Sequence, residues 1–253
     1  VNMLANAVDG FDKVAYKSIP RVPVAEHYPL SHSQKRLWIL DKMQSVQLAY
    51  NMPGAFRLED RLDREALEYA VEQLVKRHES LRTTFVEIDE EPRQIIHKSD
   101  EWAFKVKFTD LSSSEHPENQ AERLANTETR IVFDLEKGPL FRVNVLQISE
   151  KQHLILFTIH HIISDGWSMG ILIKETLQLY NARLKGVVVE LPPLRIQYKD
   201  YTSWQNQILD NSAHESYWLD KLSGDLEILR LPYDFKPGDS FSYEGSRKSR
   251  EFD

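Results

Sequence analysis

Two spacings of apolar residues run through this chain, and the place where one gives way to the other is its most informative stretch. From His153 to His161 the chain carries Leu-Ile-Leu-Phe-Thr-Ile between its histidines, with no Gly or Pro, which predicts a strand. From Trp167 onward Met169, Leu172, Ile173, Thr176, Leu177, Tyr180 and Leu184 recur at three- and four-residue steps, which predicts a helix. A short polar turn holding Asp165 and Gly166 joins them. Successive strand side chains point to opposite faces, so Ile155, Phe157, Ile159 and His161 share one and Leu154, Leu156, Thr158 and His160 the other. Both sets are apolar, as in a central strand covered on both sides. The two histidines therefore diverge: they do not share one metal ion, and one should face a cavity while the other packs into structure.

The rest of the chain alternates between the same two spacings. Pro20, Pro23 and mixed charges make residues 1–26 read as a linker or tail. Ser31 is placed to cap a helix carrying Leu37, Trp38, Leu40 and Met43, whose first turn, Ser31-His-Ser-Gln-Lys-Arg36, reads as solvated. Gly54–Leu58 is a short strand. Asp63 starts an amphipathic helix with Ala66, Leu67, Ala70, Val71, Leu74, Val75 and His78 along one side. It feeds the strand that begins at Thr83. Arg82 stands at that junction, where a guanidinium is costly unless paired. Gln94–His97 and Phe104–Leu111 are further strands, and Ser112 begins a polar helix reaching about Arg130. Leu140–Ile148 is a strand joined through Ser149–Gln152 to the central one, an antiparallel hairpin. Helices open again at Tyr198 and Ala213. From Leu231 the chain is extended and turn-rich, and it stops at Phe252-Asp253 in strand-like sequence.

Composition narrows the function classes. The 253 residues are 41% hydrophobic and 28% charged, ordinary for a globular protein and enough for one large or two small domains. A net charge of -7 without a basic stripe argues against a nucleic-acid partner. The absence of cysteine removes disulfides, thiolate metal sites and a cysteine nucleophile, and fits a reducing cytoplasm. No apolar run approaches the ~20 residues that span a bilayer. No Walker loop, GxGxxG, GxSxG or internal repeat is present.

Four segments in order carry a family resemblance: Ser31-His-Ser-Gln-Lys-Arg-Leu-Trp-Ile-Leu40, Arg77-His-Glu-Ser-Leu-Arg-Thr-Thr-Phe85, His160-His-Ile-Ile-Ser-Asp-Gly-Trp-Ser168 and Tyr198-Lys-Asp-Tyr-Thr-Ser-Trp204. The chain resembles the condensation domain of nonribosomal peptide synthetases, in the chloramphenicol-acetyltransferase-like superfamily. The resemblance covers residues 27–253 and implies the N-terminal lobe, without the C-terminal lobe and its later motifs, preceded over 1–26 by a linker following a carrier domain. The implied fold is an α/β (α+β) sandwich, with a mixed, largely antiparallel sheet flanked by helices. The motif variant looks most like the class that joins two L-residues.

The resemblance also implies a chemistry. A carrier-bound aminoacyl amine attacks a carrier-bound peptidyl or acyl thioester, each on a 4'-phosphopantetheine arm, with no cofactor or metal bound directly. The implied partners are donor and acceptor peptidyl carrier domains, the C-terminal lobe and an adenylation domain, in a multidomain cytoplasmic enzyme of antibiotic and secondary metabolism. His161 is the expected catalytic residue, as general base or as a holder of the amine; from residues alone a buried, satisfied histidine is the competing reading. His160 is expected to be structural. Asp165 is a relay carboxylate, a helix cap or the partner of an arginine, with Arg36 and Arg82 as candidates. Gly166 would allow close backbone approach, its N–H helping to hold an oxyanion. Trp167, Tyr198, Asp200 and Trp204 would pack the lobe. Two other readings compete: a CoA-dependent small-molecule acyltransferase, and a non-catalytic carrier-docking lobe. The lobe alone is expected to be inactive.

Overall fold

The structure, a computed structural model, describes residues 18–102, 104–209, 212–226, 232 and 250. The first 17 residues of the expected linker lie outside the described residues. So does the extended region from Leu231 to the strand-like terminus, apart from Pro232 and Arg250.

A two-residue strand β1 (Tyr28–Pro29) leads into helix α1 (His32–Asp41) and a 3₁₀ turn over Gln44–Tyr50. Strand β2 (Asn51–Leu58) and helix α2 (Arg64–Arg77) follow, then β3 (Thr83–Ile88), β4 (Glu91–Ile96) and β5 (Lys107–Asp110). Helix α3 (Pro117–Thr129), β6 (Phe141–Ser149) and β7 (Gln152–His160) come next, and helices α4 (Gly166–Leu184), α5 (Tyr198–Leu209) and α6 (Ser212–Lys221) complete the order. The described strands form two sheets. One is antiparallel, β1-β4-β3; the other runs β2-β7-β6-β5, antiparallel except where β5 lies parallel to β6. The β6–β7 hairpin is present, with an irregularity in register between Gln147 and Ser149.

Strand β7 sits between β2 and β6, and its two faces enter different cores. Phe157 and Ile159 join Leu67, Val71 and Leu74 of α2 and Leu172 and Leu179 of α4. Leu156 packs with Leu146, Ile148, Leu111 and Ala121 of α3. Each such side chain contributes roughly 1.5–3 kcal/mol by leaving water, so a polar slip on either face would be expelled. The double burial holds β7, and therefore its C-terminal tip, in one register.

Local signals explain most boundaries. Asp63 caps α2 by accepting the Ala66 N–H at 2.8 Å, with Glu65 in the first turn and Lys76 and Arg77 in the last, as the helix dipole favours. Helix α3 starts at Pro117 rather than at Ser112. Asp110 accepts both the N–H and the hydroxyl of Ser112, at 2.9 and 2.7 Å, and Ser114 N–H bonds the Leu111 carbonyl, so those serines close a turn. Proline then disfavours helical backbone at His116 and starts the helix itself. His78 falls just beyond α2 rather than on its apolar side. Residues 18–26 lie along the approach to α5: Arg21 donates to the carbonyls of Arg195 and Leu194, and Val22 N–H to Asp200.

Candidate active site

The second half of the site turn follows directly from how β7 ends. Asn51 of β2 pairs with His160, the last strand residue, and the chain leaves the sheet at His161. His161 N–H still donates to the Tyr50 carbonyl at 2.9 Å, and Ile163 N–H to the His160 carbonyl at 3.1 Å. The His161 residue is exposed, and its ring makes no hydrogen bond or ion pair with any described residue. It borders a cavity of about 330 Å³ walled by Ser33, Gln34, Arg36 and Leu37 of α1, by Tyr50 and Ser80, by Ile162 to Asp165, and by Ser168 and Tyr198.

His160 goes the other way. It is 1% exposed, with its ring perpendicular to that of Phe133 at 6.0 Å and near Tyr50 at 6.4 Å. Its Nδ1 accepts the Ile162 N–H at 3.1 Å, which assigns the ring proton to Nε2. Nε2 has no partner among the described residues. Burial first, and the charge of neighbouring His161 second, push the His160 pKa down to about 4, so the ring is neutral at physiological pH.

Asp165 is the N-cap of α4. Its Oδ1 accepts the Ser168 N–H at 2.8 Å and the Ser168 hydroxyl at 2.6 Å. These bonds, the hydroxyl first, hold its pKa below the usual carboxylate value, with a smaller contribution from the charge of His161. Among the described residues neither candidate arginine is paired with it. Arg82 lies 3.9 Å from Glu79 and donates to the His97 carbonyl, tied to the edge of the β3–β4 pair. Arg36 is exposed at the cavity rim without an ion pair to a described residue. Asp165 Oδ1 takes both of its donors from its own turn. A mostly buried ion cluster joins α4 to α2: Glu175 accepts from Arg77 at 3.2 Å and sits 2.7 Å from His78 Nε2.

Gly166 opens α4, and a methyl group there would meet nothing within 4 Å. Neither its N–H nor that of Trp167 has a hydrogen-bond acceptor among the described residues, while Ser168 N–H bonds the Asp165 carboxylate and Met169 N–H the Asp165 carbonyl. Trp167 is 83% exposed, contrary to the expectation that it packs the lobe. It stands on the outer face of the first turn, where the helix period points it away from Leu172 and Thr176. Asp200 is buried and accepts the N–H groups of Val22 and Gln197, and Thr202 and Asn206 tie α5 to β4 and to Leu30.

Sequence reasoning missed Gln34, Tyr50, Ser80 and Tyr198 as cavity walls. For Gln34 the signal was present: Ser31-x-x-Gln34 is a capping box, and both its bonds form. Ser31 is 1% and Gln34 3% exposed, so that side of the turn is an internal wall, while His32, Ser33 and Arg36 are exposed as expected. Tyr198 OH lies 3.1 Å from Ser31 Oγ, which brings the first and last of the four sequence segments together. Among the described residues no group of three or more His, Cys, Asp or Glu could hold a metal ion, and no helix is long and apolar enough to cross a membrane.

The family model for the condensation domain matches residues 24–253. A linear gramicidin synthase of Brevibacillus parabrevis is 42% identical over 262 aligned residues, covering 100% of this chain and 5% of that protein. Gramicidin S synthase 2 of Brevibacillus brevis is 38% identical over 98% of this chain and 5% of its own length. Among solved structures, the X-domain from teicoplanin biosynthesis superposes with a TM-score of 0.71 at 29% identity, over 87% of this chain and 48% of that one. The starter condensation domain of rhizomide synthetase gives 0.73 at 21% identity, over 80% and 49%, a likeness of fold. The chain thus spans about half of these solved chains and a small fraction of the curated relatives.

Proposed function

The chain belongs to the condensation-domain family, and we propose that it supplies the histidine-bearing face of a site that forms amide bonds between two carrier-bound thioesters in nonribosomal peptide synthesis. The observation that carries this is the His161 ring, without a hydrogen-bond partner among the described residues, at the rim of a cavity with mixed polar and apolar walls and beside the start of α4. A ring held by the backbone on both sides but left unbonded is available to an incoming amine.

The acceptor amine attacks the donor thioester carbonyl. The new C–N bond forms, the carbonyl oxygen becomes an oxyanion, and the C–S bond then breaks to release the donor's thiolate. His161 takes the proton lost by the nitrogen and returns it to the departing sulfur, a role worth about 10²–10⁴-fold. The Gly166 N–H, at a helix N-terminus and without an acceptor among the described residues, is a donor of the kind the oxyanion requires. Holding the two tethered groups together supplies several further kcal/mol.

Both substrates ride on 4'-phosphopantetheine arms of donor and acceptor carrier domains, with an adenylation domain loading them, and the motif variant supports joining two L-residues. In this reading the cavity needs a second lobe facing it, and residues 1–253 by themselves are inactive; the solved relatives are about twice as long. Cytoplasmic residence fits the cysteine-free sequence.

The test uses the intact synthetase module with two loaded carriers. His161→Ala should cut dipeptidyl product about 100-fold or more. His161→Gln, which retains hydrogen bonding but takes no proton at neutral pH, should be as poor. Undiminished product in either variant removes the proton-transfer role. Turnover of acetyl-CoA onto a free amine, with no carrier present, would replace this reading with a small-molecule acyltransferase.

A further inference from the structure

Ile162, the residue that follows His161, is gripped through both of its backbone polar groups. Ile162 N–H donates to His160 Nδ1 at 3.1 Å, and the Ile162 carbonyl accepts from Gln34 Nε2 at 3.3 Å. Gln34 has no freedom to do otherwise. Its Oε1 accepts the Ser31 N–H at 3.0 Å, its own N–H donates to Ser31 Oγ at 3.2 Å, and it is 3% exposed. Ser31 Oγ in turn meets Tyr198 OH at 3.1 Å. A continuous hydrogen-bonded line therefore runs from α5 through the cap of α1 to the turn bearing His161.

The cap alone does not need glutamine. A capping box is served equally by glutamate, which can accept the N-cap N–H and also suits a helix N-terminus. What glutamate cannot do when ionised is donate to the Ile162 carbonyl. The residue at 34 is thus chosen by its amide nitrogen, which faces the site, and not by its oxygen, which serves the helix.

We infer that Gln34 is a positioning residue for His161: its amide clamps the Ile162 peptide to α1 and so sets where the His161 ring stands over the cavity. This rests on the amide-forming role of His161 given above. Misplacing a reacting group by an ångström costs up to about 100-fold in rate while leaving substrate binding largely intact.

Gln34→Glu in the intact module tests this, because a protonated carboxyl reproduces both bonds and an ionised one reproduces only the cap. At pH 8 the variant should show kcat lowered about 10-fold to 100-fold, with KM for either loaded carrier unchanged. Burial raises the introduced carboxyl's pKa, so the ratio of variant to wild-type kcat should climb as pH falls from 8 to 6. Amide hydrogen exchange of the peptide covering residues 158–166 should be faster than wild type at pH 8, a readout that needs no turnover. Wild-type kcat and exchange at every pH would overturn the clamp, and so would a loss that pH does not relieve. If Gln34→Glu does not fold, Gln34→Met is read instead: kcat lowered about 10-fold at unchanged KM supports the clamp, and wild-type kcat overturns it. His161→Ala run beside these variants separates the two readings. Full product there defeats the role of His161, while the exchange result still judges the clamp.

Discussion

The Asp165 carboxylate directs its bonds to Ser168, three residues further along the same turn, at 2.8 Å to the backbone nitrogen and 2.6 Å to the hydroxyl. That geometry makes the acid of the His160–Ser168 segment a helix cap, and it puts the carboxylate beside His161 through the backbone rather than through a direct bond.

Replacement at 165 should therefore follow capping chemistry rather than charge. Asparagine caps as well as aspartate, so Asp165→Asn should unfold within a few tenths of a kcal/mol of wild type, whereas Asp165→Ala should lose about 1 kcal/mol. Urea denaturation of the full chain measures both. Equal losses in the two variants would show that the negative charge, and not the accepted hydrogen bonds, is what the turn requires.

Glu175 is the acceptor for two basic groups at the end of α2, Arg77 and His78, with side-chain exposures of 17% for Arg77 and 12% for Glu175. Removing the carboxylate strands a guanidinium that is mostly out of water. Glu175→Leu should cost about 3 kcal/mol, and adding Arg77→Leu should recover part of that loss because the unpaired charge goes with it. Denaturant midpoints of the two single variants and the double complete the cycle. Strict additivity would mean that the pair does not interact across the α2–α4 contact.

His160 makes stability depend on acid. Its folded-state pKa of about 4 lies below the ~6.5 of an unfolded histidine, so the unfolded chain takes up the proton first. The contribution of the neutral ring is whole above pH ~6.5 and drains away as the pH falls toward 4, a total of about 3 kcal/mol. Below that both states are protonated and no further slope arises from this group. His160→Phe should be flatter across that window in a series of urea unfolding curves from pH 7 to 4.5. Parallel pH profiles for variant and wild type would assign the acid sensitivity to another residue.

Much of this was legible in the chain. The apolar alternation of Leu154 to Ile159 announced a strand covered on both sides, because each face carries its own unbroken apolar set and neither tolerates water. Asp63 before Ala66 and Leu67, and Ser31 before Gln34, announced helix starts, because a cap bond spans only three residues and needs no distant partner. Where local signals competed, the reading slipped. Ser112 resembled a helix start, but Asp110 two residues earlier and Pro117 five later had prior claims on that backbone.

The sequence by itself determined the elements, the order of the four segments and the turn that carries His160, His161 and Asp165, since each depends on residues close together in the chain. Tertiary structure alone decided which side chains share the cavity, that Arg82 turns to Glu79 and the His97 carbonyl, that Trp167 stands in solvent, and that Gln34 reaches across 128 positions to Ile162. The physical reason is one of range. Period and capping are short-range preferences written in neighbouring residues, whereas a polar side chain's partner is whatever donor or acceptor the packed cores leave within about 3 Å of it.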